Sequence, residues 1–300
     1  MRVFDLHADT PLKIYYEGLA FSDPRLHVSS GCLSRFDFRG QVFACFCRPE
    51  LGNDEAYATF FAMRDRLLSE LAPYRGERFY PILAVEDARL LGNSRERLTA
   101  LAAADVRILT LLWRGETQIG GAYDTDTGLT AFGKAAVADA LLLGVHPDAS
   151  HASYRAFFEI AEAAASCGRP FLATHSNAYS VCPHPRNLRD EQFRAVRDAG
   201  GLVGLCLYPP HLTEGREATV YDAVRHLEHW LSLGGEDTVA LGTDLDGIDT
   251  LPRGIRSSGD LTLLAEALDR LGYTASLIEK IFSKNAELFF GKYNKRQDLL

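Results

Sequence analysis

The sequence has no basic tract, no long apolar run and no glycine-rich phosphate loop, and each absence removes a class of function. Of 300 residues, 32 are Lys or Arg and 40 are Asp or Glu, a formal net charge of −8. Nothing therefore concentrates the positive charge that neutralises nucleic-acid phosphates. No apolar stretch is long enough to span a bilayer, and the chain opens directly on VFDLHADTP without the charged and apolar regions of a secretory leader. A soluble, cytoplasmic protein is the expectation. The missing phosphate loop after any early strand argues against dinucleotide binding. Repeats, low-complexity tracts and Pro/Ser-rich linkers are also absent, so residues 1–300 are expected to form a single domain. The six cysteines (Cys32, Cys45, Cys47, Cys167, Cys182, Cys206) lie mostly in apolar runs such as VFACFC and LVGLCLYP. They read as buried thiols rather than disulfides, and neither Cys182 nor Cys206 has a second thiol at zinc-site spacing.

What is present is alternation. Short apolar runs are expected as strands at 3–9, 42–47, 79–86, 106–113, 145–150, 170–176, 202–209 and 238–246. Helical patterns lie between them at 55–71, 94–104, 132–143, 154–167, 190–199 and 220–233, with two more at 260–271 and 275–290 and a short one near 12–16. Eight strands alternating with helices, in a chain that is 47% hydrophobic, fit an α/β fold, a (β/α)8 TIM-like barrel, better than an open sheet. In such a barrel the active site forms at the carboxyl ends of the strands.

Metal-competent side chains recur at those ends. FDLHADTP sets His7 and Asp9 two residues apart, a spacing that points both to one face of a strand. Glu86 ends the third expected strand, His151 follows the fifth, and His175 and Asp244 sit late in the sixth and eighth. Three histidines and three carboxylates exceed the four-ligand shell of one tetrahedral zinc. They suit two divalent ions, roughly 3.5–4 Å apart with a bridging carboxylate and a water or hydroxide between them. Glu86, the lone acid on its strand, is the expected bridge, and Asp244 could accept the proton of the attacking water.

Several of these residues admit plainer roles. Asp244 lies in GTDLDGID, where Gly and Asp also build turns, and Asp246 would share its face, so the register between them stays open. His151 could cap the following helix, although Ser150 and Ser153 serve better. His226 and His229, three apart on one helix, read as a polar stripe on a surface helix rather than a metal pair. His27, His146, His184 and His211 are given no metal role.

Taken together, the segments resemble the membrane (renal) dipeptidase family of zinc metallopeptidases, within the amidohydrolase-like barrels. The resemblance runs nearly end to end, through DLHADTP, AVE, GLTAFGKAAVADALLLGVHPDASHAS, THSNAYSVCPHPRNL and LGTDLDG. It implies His7, Asp9 and Glu86 on one zinc, Glu86, His151 and His175 on the other, and Asp244 as proton acceptor. It further implies Arg186 on the substrate's terminal carboxylate, a bidentate task, and Tyr208 near the substrate. A loop salt bridge is the plainer reading of Arg186. The activity implied is hydrolysis of the amide bond of a small dipeptide or dipeptide-like substrate. The alternatives are a metallohydrolase of a non-peptide amide or lactone, and a metal-binding protein with a non-catalytic or biosynthetic role. A second copy of the chain, in a homodimer, is the one macromolecular partner considered.

Two departures bear on substrate. LTLLWRGE places Trp113 where the family carries a substrate-binding histidine, and Arg114 beside it should face away. An indole donates one neutral hydrogen bond and brings bulk, so Trp113 is expected either to reshape the pocket or to pack in the barrel wall. In EDARLL, Asp87 and Ala88 stand where the family has glycines, and are expected to crowd or charge the pocket rim.

Overall fold

The computed structural model describes residues 1–293. Its seven strands are β1 (Arg2–Ala8), β2 (Phe38–Phe46), β3 (Phe79–Glu86), β4 (Val106–Thr110), β5 (His146–Asp148), β6 (Val203–Leu205) and β7 (Val239–Leu241). Every ladder between them is parallel, in the order β5-β4-β3-β2-β1-β7-β6. Parallel strands buried on both faces read as continuous apolar runs, and β3 is buried at every position but Tyr80. The architecture is an α/β fold with a curled parallel sheet, consistent with a TIM-like barrel. The expected strand at 170–176 forms no ladder. Leu172 and Ala173 instead make single parallel bridges to Asp148 and Val203, which belong to the two edge strands.

Strand length is where expectation and structure differ most. The segments expected at 106–113 and 202–209 hold ladders only over Val106–Thr110 and Val203–Leu205. Beyond those ladders the chain leaves the sheet as site-bearing loop, a change that an apolar run does not record. Helices fall close to expectation because their ends are chemically marked. Thr130 and Ser153 accept hydrogen bonds from Gly133 N and Ala156 N at the starts of helices Ala131–Leu143 and Tyr154–Ser166. His151 is therefore not the cap. The helix expected at 275–290 is interrupted by a π turn, Lys280–Lys284, between Ala275–Glu279 and Asn285–Tyr293. Such a turn rotates the face that follows it.

That rotation serves the core. One cluster, inside the sheet, holds Phe4, Leu6, Val42, Ala44, Ile82, Ala84, Ile108, Leu172, Leu202 and Ala240 together with Ala286, Phe289 and Phe290. Phe290 stacks on Phe4 at 5.3 Å and Phe289 meets His146 at 4.9 Å, so the last helix covers the curled sheet at the starts of the strands. A larger cluster fills the layer between sheet and helices. The opposite end, where β1 and β3 finish, is left for polar side chains. No helix among the described residues is long and apolar enough to cross a membrane.

Candidate metal centre

The β1 ladder sets up the site by slipping. Its register on β2 shifts between Asp5 and Ala8. Phe4 and Leu6 belong to the inner cluster but Ala8 to the outer one. A slip of this kind locally breaks the alternation of side chains and re-aims one. His7 lies at the slip, buried, with its Nε2 directed at carboxylates. That nitrogen is 3.5 Å from Asp9 Oδ2, 3.5 Å from Glu86 Oε2 and 4.0 Å from Asp244 Oδ1. Glu86, the last residue of β3, turns its other oxygen to His151 Nε2 at 3.2 Å and to His175 Nε2 at 3.7 Å. His151 Nε2 and His175 Nε2 are 2.8 Å apart.

All six expected ligand or base residues thus converge. Their donor atoms form three overlapping groups, His7–Asp9–Glu86, Glu86–His151–His175 and His7–His175–Asp244, each within 4.8 Å. Glu86 is common to the first two, as a bridging carboxylate must be. The register question between the two aspartates is also answered. Asp246 accepts from Thr10 Oγ1, His27 N and Val28 N and so ties down a loop, whereas Asp244 faces the centre. A Cβ at Gly247 would lie 2.2 Å from Asp9 Oδ2, so a side chain there would push the Asp9 carboxylate out of place.

The donor set fits divalent cations. His7 Nε2 and Asp9 Oδ1 are buried without a hydrogen-bond partner. His151 places Nδ1 3.0 Å from the carbonyl of Trp113, an acceptor only, so Nδ1 carries the hydrogen and Nε2 is bare. Imidazoles held this way present lone pairs to a shared space, which a metal satisfies and a neutral side chain does not. Backbone strain concentrates here as well. His151 (φ 67°) and Asp244 (φ 63°) adopt the left-handed conformation, as do neighbouring Asp87 (71°) and Asp246 (67°).

Charge in the site is strongly perturbed. Burial alone would lower the His7 pKa, but Glu86 and Asp9 at its Nε2 hold it well above the usual histidine range. Burial would raise Glu86, yet His7 and His151 hold it well below the carboxylate range. Burial lifts Asp244 to about 6 against the pull of His7. Burial, reinforced by Arg186, takes His151 down to about 4.

Around this centre, Arg186 is buried and reaches only the carbonyl of His175, at 3.4 Å, and the face of Tyr123, at 5.7 Å. No carboxylate among the described residues pairs with it, so the loop salt-bridge reading does not hold. Tyr208 is half-buried and meets the His211 ring at 4.8 Å. Trp113 is half-buried, 4.9 Å from the Phe46 ring and 6.4 Å from the His151 ring. Arg114 points away to Asp124. Asp87 does not charge the rim as expected, because its carboxylate turns back on Arg89, at 3.0 Å from Nε and 3.1 Å from the backbone N. Its positive φ explains why glycine suits that position. His226 is not on a surface. It is fully buried, accepting from Ala178 N at Nδ1 and donating from Nε2 to Leu212 O. The sequence reading does not include Asp148, Thr174 and the Trp113 carbonyl, which hold the candidate ligand histidines from behind. A Thr immediately before a candidate metal histidine is the one available signal.

The family model for membrane dipeptidases (peptidase family M19) matches residues 70–295. A protein from the pqqA 5′ region of Klebsiella pneumoniae, itself uncharacterized, is 37% identical over 206 residues, covering 65% of this chain and 74% of that one. The crystal structure of dipeptidase AC, a metallo peptidase of family M19, is similar with a TM-score of 0.87 at 27% identity over 97% of each chain. That of a metallo peptidase from Rhodobacter sphaeroides, liganded with a phosphinate mimic of the dipeptide L-Ala-D-Ala, gives 0.86 at 26% identity over 98% of this chain and 99% of that one. The matched segments span about half the length of two fungal dipeptidases, 50% and 47%.

Proposed function

The chain belongs to the membrane dipeptidase family and is a metallohydrolase of that dipeptidase class, and from this premise we propose that it hydrolyses the amide bond of small dipeptides with two zinc ions in one barrel domain. The observation that carries the reading is Arg186, a buried guanidinium facing the centre with no carboxylate of its own. A free terminal carboxylate is the partner that such a fork accepts in two parallel hydrogen bonds.

His7, Asp9 and Glu86 would hold one ion, and Glu86, His151 and His175 the other. When bound, such ions polarise a carbonyl and acidify a water to near-neutral pH. The chain's own residues do the rest. Arg186 anchors the carboxylate and so orients the scissile carbonyl. Asp244, whose carboxylate joins His7 and His175 at the centre, takes the proton of the attacking water and passes it to the leaving amine. Tyr208 lines the substrate side. The test is a panel of L,L- and L,D-dipeptides with added zinc, against N-acyl amino acids and lactones lacking a peptide bond. Release of both amino acids supports the reading, and turnover of the non-peptide compounds alone overturns it.

Trp113 favours a second reading. Its ring, set between Phe46 and His151, stands at the mouth with bulk and no titratable nitrogen, which suits a non-peptide amide of smaller cross-section.

A further inference from the structure

We infer that the Thr174 hydroxyl is a shared positioning group that fixes one histidine ligand of each ion, with Asp148 setting its direction. The chain of hydrogen bonds has one sense. Asp148 is buried and its carboxylate receives four donors. Ser150 N and Thr174 N donate to Oδ1, both at 2.9 Å, and the hydroxyls of Thr110 and Thr174 donate to Oδ2, both at 2.6 Å. The single hydrogen of Thr174 is thereby spent. Its oxygen is left as an acceptor, 2.9 Å from His175 Nδ1 and 3.3 Å from His7 Nδ1. Both rings must carry a hydrogen on Nδ1 to donate there, and each ring, once neutral, then offers a bare Nε2. Of the two groups that share Glu86, His7 belongs to one and His175 to the other, so one oxygen selects the tautomer on both sides of the proposed bridge.

The backbone holds the hydroxyl in place. The Thr174 carbonyl is wedged between Gly204 and Gly242, where an added Cβ would lie 1.9 and 1.7 Å from it. Thr174 N is fixed by Asp148, and His175 N donates to Ser150 Oγ at 3.1 Å. Thr110 is the natural control. It gives Asp148 the same kind of hydrogen bond but no distance ties it to an imidazole.

The inference rests on the two-ion reading, and its test is therefore read as zinc affinity and histidine tautomer, not turnover. Removing an outer partner of a ligand histidine weakens metal binding by about 10–100-fold. Thr174→Val, close in shape, should weaken both zinc sites by about tenfold or more in competition with a zinc chelator, whereas Thr174→Ser stays within about threefold of the parent. Thr110→Val should lower thermal stability without changing zinc affinity. In zinc-loaded parent protein, nitrogen-15 spectra should show His7 and His175 protonated on Nδ1. Equal loss of affinity in Thr110→Val and Thr174→Val, or loss at one site only, overturns the shared role. So does a hydrogen on Nε2 of either ring, a readout that stands even if Thr174→Val fails to fold. A parent that takes up no zinc overturns both this role and the proposed function. Two tightly bound zinc ions without dipeptide cleavage overturn only the function.

Discussion

Arg186 is the residue least explicable without a ligand. Burying a guanidinium unpaired costs stability, and burial does lower its pKa. Arg186→Met should therefore raise the unfolding free energy by roughly 1–2 kcal/mol while raising KM for any cleaved dipeptide at least tenfold. Thermal melts and steady-state kinetics check the pair of effects, and a variant that loses stability without a KM change removes the anchor role. Trp113 is argued at the same scale. Losing one oxyanion donor costs about 10²–10³ in turnover, so Trp113→His should speed dipeptide hydrolysis by at least tenfold with zinc content unchanged. A rate within about twofold of the parent would show that the indole does not limit the chemistry. The six residues that converge at the centre are legible in the sequence because His, Asp and Glu at strand ends are chemically conspicuous. Thr174 is not, since alternation on a strand would point it away from His175. It reaches the ring only because 170–176 is not a regular strand.

At the scale of elements, the accuracy of the expectation follows the chemistry of the ends. β3 matches expectation to the residue, Phe79–Glu86, because its apolar run stops at the acid Glu86. β4 is expected longer because Leu111 and Leu112 are as apolar as the ladder itself, although the ladder ends at Thr110. The sequence places His226 on a surface because the helix Val220–Ser232 is amphipathic, whereas Ala178 N and the carbonyl of Leu212 cover its ring. That burial takes the His226 pKa down to about 4. The folded state then binds fewer protons than the unfolded one between about pH 4 and 6.5, so stability is intact above 6.5 and lost as pH falls. The loss should reach about 3 kcal/mol from this residue, and His226→Gln should reduce the pH slope when denaturant melts are compared. An unchanged slope would show that the ring is not held neutral. Gly242→Ala belongs here too. With a Cβ 1.7 Å from the Thr174 carbonyl, it should destabilise by roughly 3 kcal/mol and weaken zinc binding together.

For the whole molecule, the two ends of the sheet divide the work. Phe289 and Phe290 close one end with apolar packing against Phe4 and His146, and the other end gathers the imidazoles and carboxylates. The alternation of strands and helices foretold this arrangement, but the seven-stranded ladder pattern and the single bridges at Leu172 and Ala173 depend on curvature that no local pattern carries. The central claim is that the gathered end is a two-ion dipeptidase site. It is tested most directly by titrating zinc into metal-stripped protein while measuring hydrolysis of an L,D-dipeptide such as L-Ala-D-Ala. Activity that climbs to a plateau at two zinc ions per chain is the predicted result. A protein that binds two zinc ions and leaves every dipeptide of the panel intact, or that reaches full activity with one, would contradict it.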